Sequence, residues 1–351
     1  MLGIGQLLRQ MPECYEEWCY QEKAITRKRG IKNPSDLMML SLFHLLSGCS
    51  LAEISAIANL TKLGSVSDVA FMKRFEKCNN WFRKITSMLV TTGAVIYEKP
   101  AWLNSYRVIS VDASDVTEKG RSGRHYRLHY ALDLFNFESL QYKITTQKTG
   151  ETLRNFLITA GDLIVADRAY SSYNGIDHCL AGGGDFVFRL KKSSFTMTDA
   201  NGEKVNLLEK LRALGQNEEF DERVFIQNRT GKEISLRVCA TRKTPEGIVQ
   251  TQKKLRRRES RGQIVIKNDT KEFNEYIVLI TSLPDEISAK QILALYRLRW
   301  QVEIYFKRLK SIMDFGELPK RRSGSVMAWL NGKMMIALLI EKIMSQSVFS
   351  P

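Results

Sequence analysis

The sequence predicts an α/β protein in which a mixed sheet flanked by helices follows a helical amino-terminal domain and is interrupted by a β-rich insertion. Three observations predict this fold class. Apolar residues recur at three- and four-residue steps up to about residue 95. Short β-branched runs that end in carboxylates follow from residue 107, and a helical period returns after residue 288. With 351 residues, 44% of them hydrophobic, the chain is long enough for two or three domains.

Residues 1–100 are predicted to form a helical, DNA-binding domain. Ser50 and Glu53 fit a capping box that opens one helix, Gly64 ends that helix, and Ser67–Asp68 starts the next. This helix-turn-helix-like spacing has two interpretations. The second helix contacts DNA, or the two helices are an antiparallel pair with no role in DNA binding.

Residues 101–190 are predicted to form the first part of the core, with the element order β-β-β-α-β-α-β. Two strands end in an aspartate, because the apolar run 107–111 leads into Asp112 and the run 163–166 leads into Asp167. The other elements are a hairpin, two helices and one more strand: Tyr126–Phe135, Leu140–Thr146, Thr149–Ile158, the stretch after Asp167, and Asp185–Leu190.

Residues 191–284 are predicted to form the β-rich insertion subdomain, because their sequence is polar and alternating. The basic run Lys253–Arg258 within it is either a solvated loop or an arm that contacts phosphates, and the charge of the whole chain favours the arm. Residues 285–351 then return to the core with a long helix, from about 288 to 313, and a carboxyl-terminal tail.

The composition favours a polyanionic partner. Lys and Arg number 53 against 38 Asp and Glu, which gives a net charge of +15, and the isoelectric point is about 9.5. Nucleic acid is the leading candidate. The six cysteines form no paired spacing, which argues against a structural zinc site or a disulfide framework. The longest apolar stretches are too short to span a bilayer and no signal segment is evident, so we expect a cytoplasmic protein with no membrane partner.

Five polar residues fall on one face of the helix predicted from about 288 to 313. Their steps of 3, 4, 4 and 3 give a narrow stripe at roughly 100° per residue. The members are Tyr296, Arg299, Glu303, Lys307 and Lys310. The simplest interpretation is an amphipathic helix in which Glu303 pairs with Arg299 or Lys307. The alternative is a catalytic face, which needs support from elsewhere in the sequence.

That support comes from the two aspartates that follow apolar runs. A carboxylate in this position needs solvent, a partner or a metal. Magnesium prefers oxygen ligands, and Asp112, Asp167 and Glu303 suit a pair of ions at a phosphodiester. Arg299 and the lysines would then offset phosphate charge, and Tyr296 would donate a hydrogen bond to a phosphate. Three other aspartates compete for the role of ligand: Asp115, Asp133 and Asp162.

The sequence resembles bacterial insertion-sequence transposases of the IS-four group. Tyr296-x2-Arg299-x3-Glu303-x6-Lys310 is similar to the Y-R-E-K signature of that family at every spaced position. The segments around Asp112 and around Asp167-Arg168-Ala169-Tyr170 look like its first and second catalytic aspartate regions. The resemblance implies an RNase H-like fold, a β-rich insertion before the glutamate helix, and cut-and-paste transposition.

Residue by residue, the resemblance implies two groups of functional side chains. Asp112, Asp167 and Glu303 would be the catalytic DDE residues that hold Mg²⁺ or Mn²⁺, with two ions expected. The residues in contact with DNA phosphates would be Tyr296, Arg299, Lys307, Lys310 and Arg168. The partners implied are double-stranded DNA, as the terminal inverted repeats and the target, and a second copy in a synaptic homodimer; the protein would join the nucleoid when acting. Two other functions remain open: an inactive derivative that regulates by binding DNA, and an RNase H-like nuclease that does not transpose.

Two features of the sequence limit what the resemblance implies. Some relatives stack a flipped base on an aromatic side chain of the insertion, often tryptophan, but no tryptophan lies there in this chain. The five tryptophans are Trp18, Trp81, Trp102, Trp300 and Trp329. Phe195, Phe220 or Phe225 would have to take the place of that tryptophan.

His125 and His129 are four residues apart without a nearby cysteine, which indicates a structural or phosphate-facing role and no metal site.

Overall fold

The computed structural model describes residues 3–89, 98–118, 125–136, 139–228, 230–304, 307, 317–318 and 323–348. The chain divides into two compact units. The first unit consists of Met1–Glu98, Ala113–Thr149 and Ile304–Pro351, and the second consists of Lys99–Asp112 and Gly150–Glu303.

The first unit contains the predicted amino-terminal helices. They are α1 (Ile4–Arg9), α2 (Tyr15–Gln21), α3 (Pro34–Leu46), α4 (Leu51–Leu60) and α5 (Asp68–Leu89). Ser50 and Glu53 form the predicted capping box at the start of α4. The long helix α11 (Ser323–Val348) packs against α5 and α3, and aromatic side chains of α5, among them Phe75, Trp81 and Phe82, are fully buried in this core.

The strands of the first unit include the predicted hairpin. Strands β2 (His125–Asp133) and β3 (Ser139–Thr146) pair in the antiparallel direction. Strand β1 (Arg107–Glu118) contributes its second half, which pairs in parallel with the two-residue strand β9 (Glu317–Leu318).

The second unit contains a mixed sheet in the order β1-β4-β5-β8-β7-β6. Its strands are the first half of β1, β4 (Asp162–Ala166), β5 (Asp185–Arg189), β6 (Glu219–Gln227), β7 (Glu233–Arg242) and β8 (Tyr276–Thr281). Strands β1, β4 and β5 are parallel, whereas β8, β7 and β6 pair in the antiparallel direction. Every residue of β4 is buried, as expected for a central parallel strand.

The helices of the second unit flank this sheet. They are α6 (Tyr173–Ala181), α7 (Leu207–Arg212), α8 (Pro245–Gly262), α9 (Asn268–Phe273) and α10 (Ala289–Arg297). Helix α6 contacts β5, and α10 contacts β7 and β6. Ser288 and Gln291 form a capping box at the start of α10, which places that start where the sequence predicts it. The predicted fold class, a mixed sheet flanked by helices, is therefore confirmed.

The structure corrects four local predictions. The helix predicted over Thr149–Ile158 is only a short 3₁₀ turn at Leu153–Asn155. The basic run Lys253–Arg258 is helical, in α8, rather than a loop. Strand β1 does not end at Asp112 but continues to Glu118, because it also pairs with β2 and, at its last two residues, with β9. The single helix predicted from 288 to 313 is interrupted at residues 298–299, and residues 300–304 are helical again.

The domain boundaries at residues 100, 190 and 284 stay predictions. Residues 191–284 hold β6, β7 and β8 as well as helices α7, α8 and α9. Among the helices that the structure describes, none has both the length and the apolar character needed to cross a bilayer.

Candidate active site

Asp112 and Asp167 lie at the same level on neighbouring parallel strands. The register between β1 and β4 pairs Ser110 with Val165, so two further residues along each chain bring Asp112 opposite Asp167. Both side chains are half-buried. Asp167 directly follows the buried strand β4, as predicted, whereas Asp112 lies within β1, where pairing with β4 has ended.

A short turn fixes the Asp167 side chain. Its Oδ1 accepts a hydrogen bond of 2.7 Å from the Ala169 N–H, and its backbone carbonyl accepts one of 3.3 Å from the Tyr170 N–H. Helix α6 starts six residues after Asp167, with Ser172 as its cap. The turn therefore orients one carboxylate oxygen and leaves Oδ2 with no hydrogen-bond partner among the described residues.

Arg189 is a functional candidate that the sequence reasoning missed. The register between β4 and β5 pairs Ala166 with Phe188, so Arg189 lies beside Asp167. Arg189 is half-buried, and its side chain has no hydrogen-bond partner or ion pair among the residues that the structure describes. The signal was available, because Arg189 ends the apolar strand Asp185–Arg189 just as Asp167 follows its own strand.

Arg168 is held in place by a buried asparagine. Its Nη1 donates a 2.6 Å hydrogen bond to Oδ1 of Asn274, a buried residue. Burial, followed by repulsion from Arg189, lowers the pKa of Arg168 to about 10, although Tyr296 and Asp167 act in the opposite sense. Two arginines therefore lie close together beside one aspartate, an arrangement that leaves excess positive charge.

Tyr296, Arg299 and Glu303 lie around the interruption after α10. Arg299 and Val302 take part in 3₁₀-type bonds, since Arg299 N–H donates to the Tyr296 carbonyl and Val302 N–H donates to the Arg299 carbonyl. The Arg299 guanidinium lies over the Tyr296 ring at 5.7 Å from its centre. Its Nη2 is 2.5 Å from Oε1 of Glu303, and the Arg299 side chain is 14% exposed against 50% for Glu303.

The charges around Arg299 connect this segment to Asp112. Burial alone would lower the pKa of the Arg299 guanidinium. Interactions with Tyr296, Glu303 and Asp112 outweigh burial and raise that pKa. Burial raises the pKa of Tyr296, which also interacts with Arg299, Arg189 and Asp167. The predicted residues Asp112, Asp167, Tyr296, Arg299 and Glu303 are thus brought into one electrostatic neighbourhood.

Two of the predicted phosphate contacts are less well defined. Lys307 is helical and exposed. Lys310 lies outside the described residues, as does the basic run 320–322.

The three phenylalanines proposed to replace an insertion tryptophan are half-buried, and Phe195 packs edge-on against Tyr173 with ring centres 4.9 Å apart.

Each of the three competing aspartates has a structural partner. Asp115 is bound by Arg127 at 2.8 Å, and the buried Asp133 accepts hydrogen bonds from the N–H groups of Phe135 and Asn136. The buried Asp162 is 2.7 Å from Arg107 and accepts from the Thr159 N–H. These contacts account for all three carboxylates without a metal.

Buried cationic atoms without partners mark the same region. Among the described residues, the Nε atoms of Arg168, Arg189 and Arg299 are buried and have no hydrogen-bond partner. A buried guanidinium donor that is left unpaired is costly, and the planar guanidinium suits phosphate oxygens. The geometry therefore fits an anionic ligand beside Asp112 and Asp167.

The carboxylates Asp112, Asp167 and Glu303 are the kind of ligand that a divalent cation prefers, but they do not lie close enough together to hold one. Three oxygen donors of the Asp and Glu type are what magnesium or manganese prefers. Within the described part of the chain, however, no three His, Cys, Asp or Glu side chains lie close enough together to hold a metal ion. Glu303 is instead engaged by Arg299.

Two aspartates level on adjacent parallel strands, with a glutamate on a helical segment later in the chain, define an RNase H-like α/β protein with a carboxylate site. The family described as "Transposase DDE domain" matches residues 103–339. The InsL protein of insertion sequence element IS186A from Escherichia coli (strain K12) is 29% identical over 334 residues, which cover 93% of this chain and 90% of that protein. The transposase for insertion sequence element IS421 from Escherichia coli is 29% identical over 335 residues, with the same shares. The transposase for IS231C from Bacillus thuringiensis subsp. berliner is 26% identical over 241 residues, or 62% of this chain and 50% of that protein.

The family match covers more than half of the chain, and the chain therefore belongs to the DDE transposase family. Transposases of this family bind DNA, cleave it and transfer strands, and they generally use divalent metal ions. The two other functions, an inactive DNA-binding regulator and a non-transposing nuclease, are not favoured by these similarities.

Proposed function

We propose that Asp112, Asp167 and Glu303 are the catalytic residues of a cut-and-paste transposase that cleaves the ends of its element and joins them to target DNA. The observation that carries this proposal is the register that brings Asp112 opposite Asp167, beside Arg168 and Arg189. Two carboxylates and two guanidinium groups with unpaired Nε atoms at one sheet edge suit a phosphodiester, which needs both metal ligands and charge compensation.

The three carboxylates would hold Mg²⁺ or Mn²⁺, and two ions suit the number of ligands. When bound, such ions activate the attacking oxygen and stabilise the leaving 3′ oxygen. Because Arg299 now binds Glu303 at 2.5 Å, we expect this pair to open when the carboxylate takes up its role as a ligand. Arg299 is then free to bind a phosphate, which its buried and unpaired Nε also favours.

The remaining side chains would position the DNA strand. Arg168 and Arg299 would bind phosphate oxygens, Tyr296 would donate a hydrogen bond to a phosphate, and the exposed Lys307 would contact another phosphate. Lys310 is assigned the same role from the spacing of the signature alone. The DNA would be the terminal inverted repeats and then the target, and bringing two ends together would require a homodimer.

The test is divalent-metal-dependent cleavage of DNA that carries the element's ends. Asp112→Asn, Asp167→Asn and Glu303→Gln should each lower the cleavage rate by at least about a thousandfold, because each removes a charged ligand of the metal ions that would stabilise the transition state. Their unfolding midpoints should stay close to that of the parent protein, since none of the three carboxylates is fully buried.

Asp115→Asn is the matched control, because Asp115 lies three residues from Asp112 and pairs with Arg127 instead. It should retain cleavage within a few-fold of the parent protein. If cleavage survived Asp112→Asn but not Asp115→Asn, Asp115 would be the catalytic residue. That result would contradict the assignment of Asp112. Joined products in a plasmid target distinguish transposition from simple nuclease activity.

A further inference from the structure

Helix α8 carries a stripe of cations on its outward face. Lys254, Arg257, Arg258 and Arg261 are spaced at three- and four-residue steps, so they share one side of the helix. All four are exposed, and they line one shallow surface pocket together with Gly262 and Ile264. We refer to these four residues as the α8 stripe.

No carboxylate neutralises the α8 stripe in the described part of the chain. The nearest acid on the helix, Glu259, faces the other way, where its Oε1 accepts hydrogen bonds from the Ile266 N–H and the Lys271 ammonium group, both at 2.9 Å. No member of the stripe forms an ion pair with any described residue, in contrast to many other cations of this unit. A dense unpaired cationic surface is the usual footprint of a polyanion.

Hydrogen bonds tie the base of α8 to the catalytic edge of the sheet. Lys243 donates from its ammonium group to Oγ1 of Thr251 on α8 at 2.8 Å and to the Asn274 carbonyl at 2.6 Å. The side chain of that same Asn274 accepts the 2.6 Å hydrogen bond from Arg168. Asn274 therefore joins Lys243 to Arg168, next to Asp167.

The cations along this connection lie close enough to repel one another. Burial, followed by repulsion from Arg189, Arg168 and Lys254, lowers the pKa of Lys243 to about 8. Arg189 and Arg168 flank Asp167, whereas Lys254 is the first member of the α8 stripe. The positive charge is thus continuous from the active-site edge to the outer face of α8.

We propose that Arg189, Lys243 and the α8 stripe form a track that binds the sugar–phosphate backbone of duplex DNA, irrespective of sequence, and leads it to the catalytic edge. This proposal rests on the proposed function only in taking DNA as the substrate. The track consists of Lys and Arg alone, and such contacts fix the position of a duplex without reading its bases. From Lys254 to Arg261 the helix rises about 10 Å, which matches roughly three nucleotides of a strand.

The test compares two variants that remove equal charge. Arg257→Gln/Arg258→Gln/Arg261→Gln lowers the net charge from +15 to +12, and so does the control Lys204→Gln/Lys232→Gln/Lys290→Gln, whose residues are exposed and unpaired among the described residues. Equilibrium binding to a short duplex of random sequence is measured by fluorescence anisotropy in EDTA, over a series of salt concentrations.

The slope of log affinity against log salt should fall by about 3 for the α8 variant, since each phosphate contact contributes about 0.9. When salt is raised from 50 to 200 mM, the fold-loss of DNA affinity should then be about 40 times smaller for the α8 variant than for the parent protein. The control should keep the parental slope. Equal slopes for the parent and the α8 variant, or equal changes in both variants, would overturn the proposal.

Two further arms keep the outcome specific. Vesicles of equal parts phosphatidylcholine and phosphatidylserine test the alternative that α8, with Ile264 and Val265 exposed near its end, binds a membrane surface. If the α8 variant lost vesicle binding but kept the parental salt slope for DNA, the proposed DNA track would be overturned. Asp112→Asn is tested in parallel. If Asp112→Asn still cleaved DNA, the catalytic assignment would be refuted. The proposed track would still be tested separately, by the salt slope of the α8 variant.

Discussion

Asp112 and Asp115 illustrate how a single position on a strand decides the chemistry open to a carboxylate. The two residues are three apart on β1, so their side chains point to opposite faces of the strand. Asp112 shares its level with Asp167, whereas Asp115 binds Arg127. The Asp115 side chain is 51% exposed, so we expect its pair with Arg127 to add little stability, and this makes Asp115→Asn a suitable control.

His129 is a structural residue with a consequence for pH dependence. It is fully buried on β2, and its Nε2 lies 2.9 Å from Oγ1 of Thr145. Burial, followed by repulsion from Arg127 and Lys143, lowers its pKa to about 4. This supports the predicted structural interpretation of His129. The side chain of His125 lies outside the described residues.

We expect His129 to weaken the fold in acid. Its folded pKa is below the unfolded value, so between these two values the unfolded chain binds more protons and stability falls as pH falls. The contribution is complete above about pH 6.5 and should decrease by about 2 kcal/mol by pH 5. Denaturant unfolding of the parent protein and of His129→Gln, at pH 7 and pH 5, measures it. A variant that lost as much stability as the parent over this interval would contradict the prediction.

The segment after α10 places its functional residues through an interruption rather than through a continuous helix. Tyr296 is still on α10 and buried, Arg299 lies in the tightened turn, and Glu303 belongs to the next helical residues. The spacing of the signature is therefore compatible with more than one backbone path. The interruption lets Arg299 reach both the Tyr296 ring and the Glu303 carboxylate.

Helix α6 constrains the turn that carries Asp167. A Cβ added at Gly175 would lie 2.3 Å from the Tyr170 carbonyl oxygen, far inside van der Waals contact. Gly175→Ala should therefore displace that turn, destabilise the protein by about 1–3 kcal/mol and slow cleavage by about tenfold or more at temperatures where the variant is folded. Thermal unfolding and single-turnover cleavage together measure both effects.

Gly150→Ala is the control for this substitution, because nothing lies within 4 Å of a Cβ at that position. It should change neither the unfolding midpoint nor the cleavage rate appreciably. If Gly175→Ala lost stability but cleaved at the parental rate while folded, helix α6 would not be what positions Asp167.

The whole chain carries a net charge of +15, and the candidate site contains both carboxylates and arginines. Three carboxylates that face a DNA backbone repel it unless cations neutralise them. The variant Asp112→Asn/Asp167→Asn/Glu303→Gln should thus bind duplex DNA about tenfold more tightly than the parent in EDTA, equivalent to about 1.4 kcal/mol. Added Mg²⁺ should strengthen binding by the parent protein and have no such effect on the variant.

A matched variant separates the local effect from net charge. Glu203→Gln/Glu219→Gln/Glu286→Gln changes three exposed carboxylates and raises the charge from +15 to +18, as the active-site variant does. It should bind DNA within about twofold of the parent protein, because exposed charges beyond a Debye length are screened. An equal gain in both variants would assign the effect to the overall charge and argue against a metal site at these three residues.

Much of the fold follows from local patterns in the sequence. Helical periodicity predicted α3 and α5, the Ser50–Glu53 spacing predicted the start of α4, and a short buried run predicted β4 with Asp167 at its end. These features depend on neighbouring residues, and physical rules for caps and periodicity act over the same short distances. The irregular path of Thr149–Ile158, with its short 3₁₀ turn, was not predictable in this way, since tertiary packing overrides weak helical propensity.

The sequence by itself determined the kinds of side chain and their spacing: two aspartates after apolar runs, a Tyr-Arg-Glu-Lys series and a strongly basic composition. Only the tertiary structure decided which of them meet. Strand register, a property of pairing between distant segments, brought Asp112 and Arg189 to Asp167, and the pairing of β1 with β2 and β9 carried that strand past Asp112. Periodicity along one segment cannot encode which residue lies opposite on another, because register is fixed by packing across the sheet.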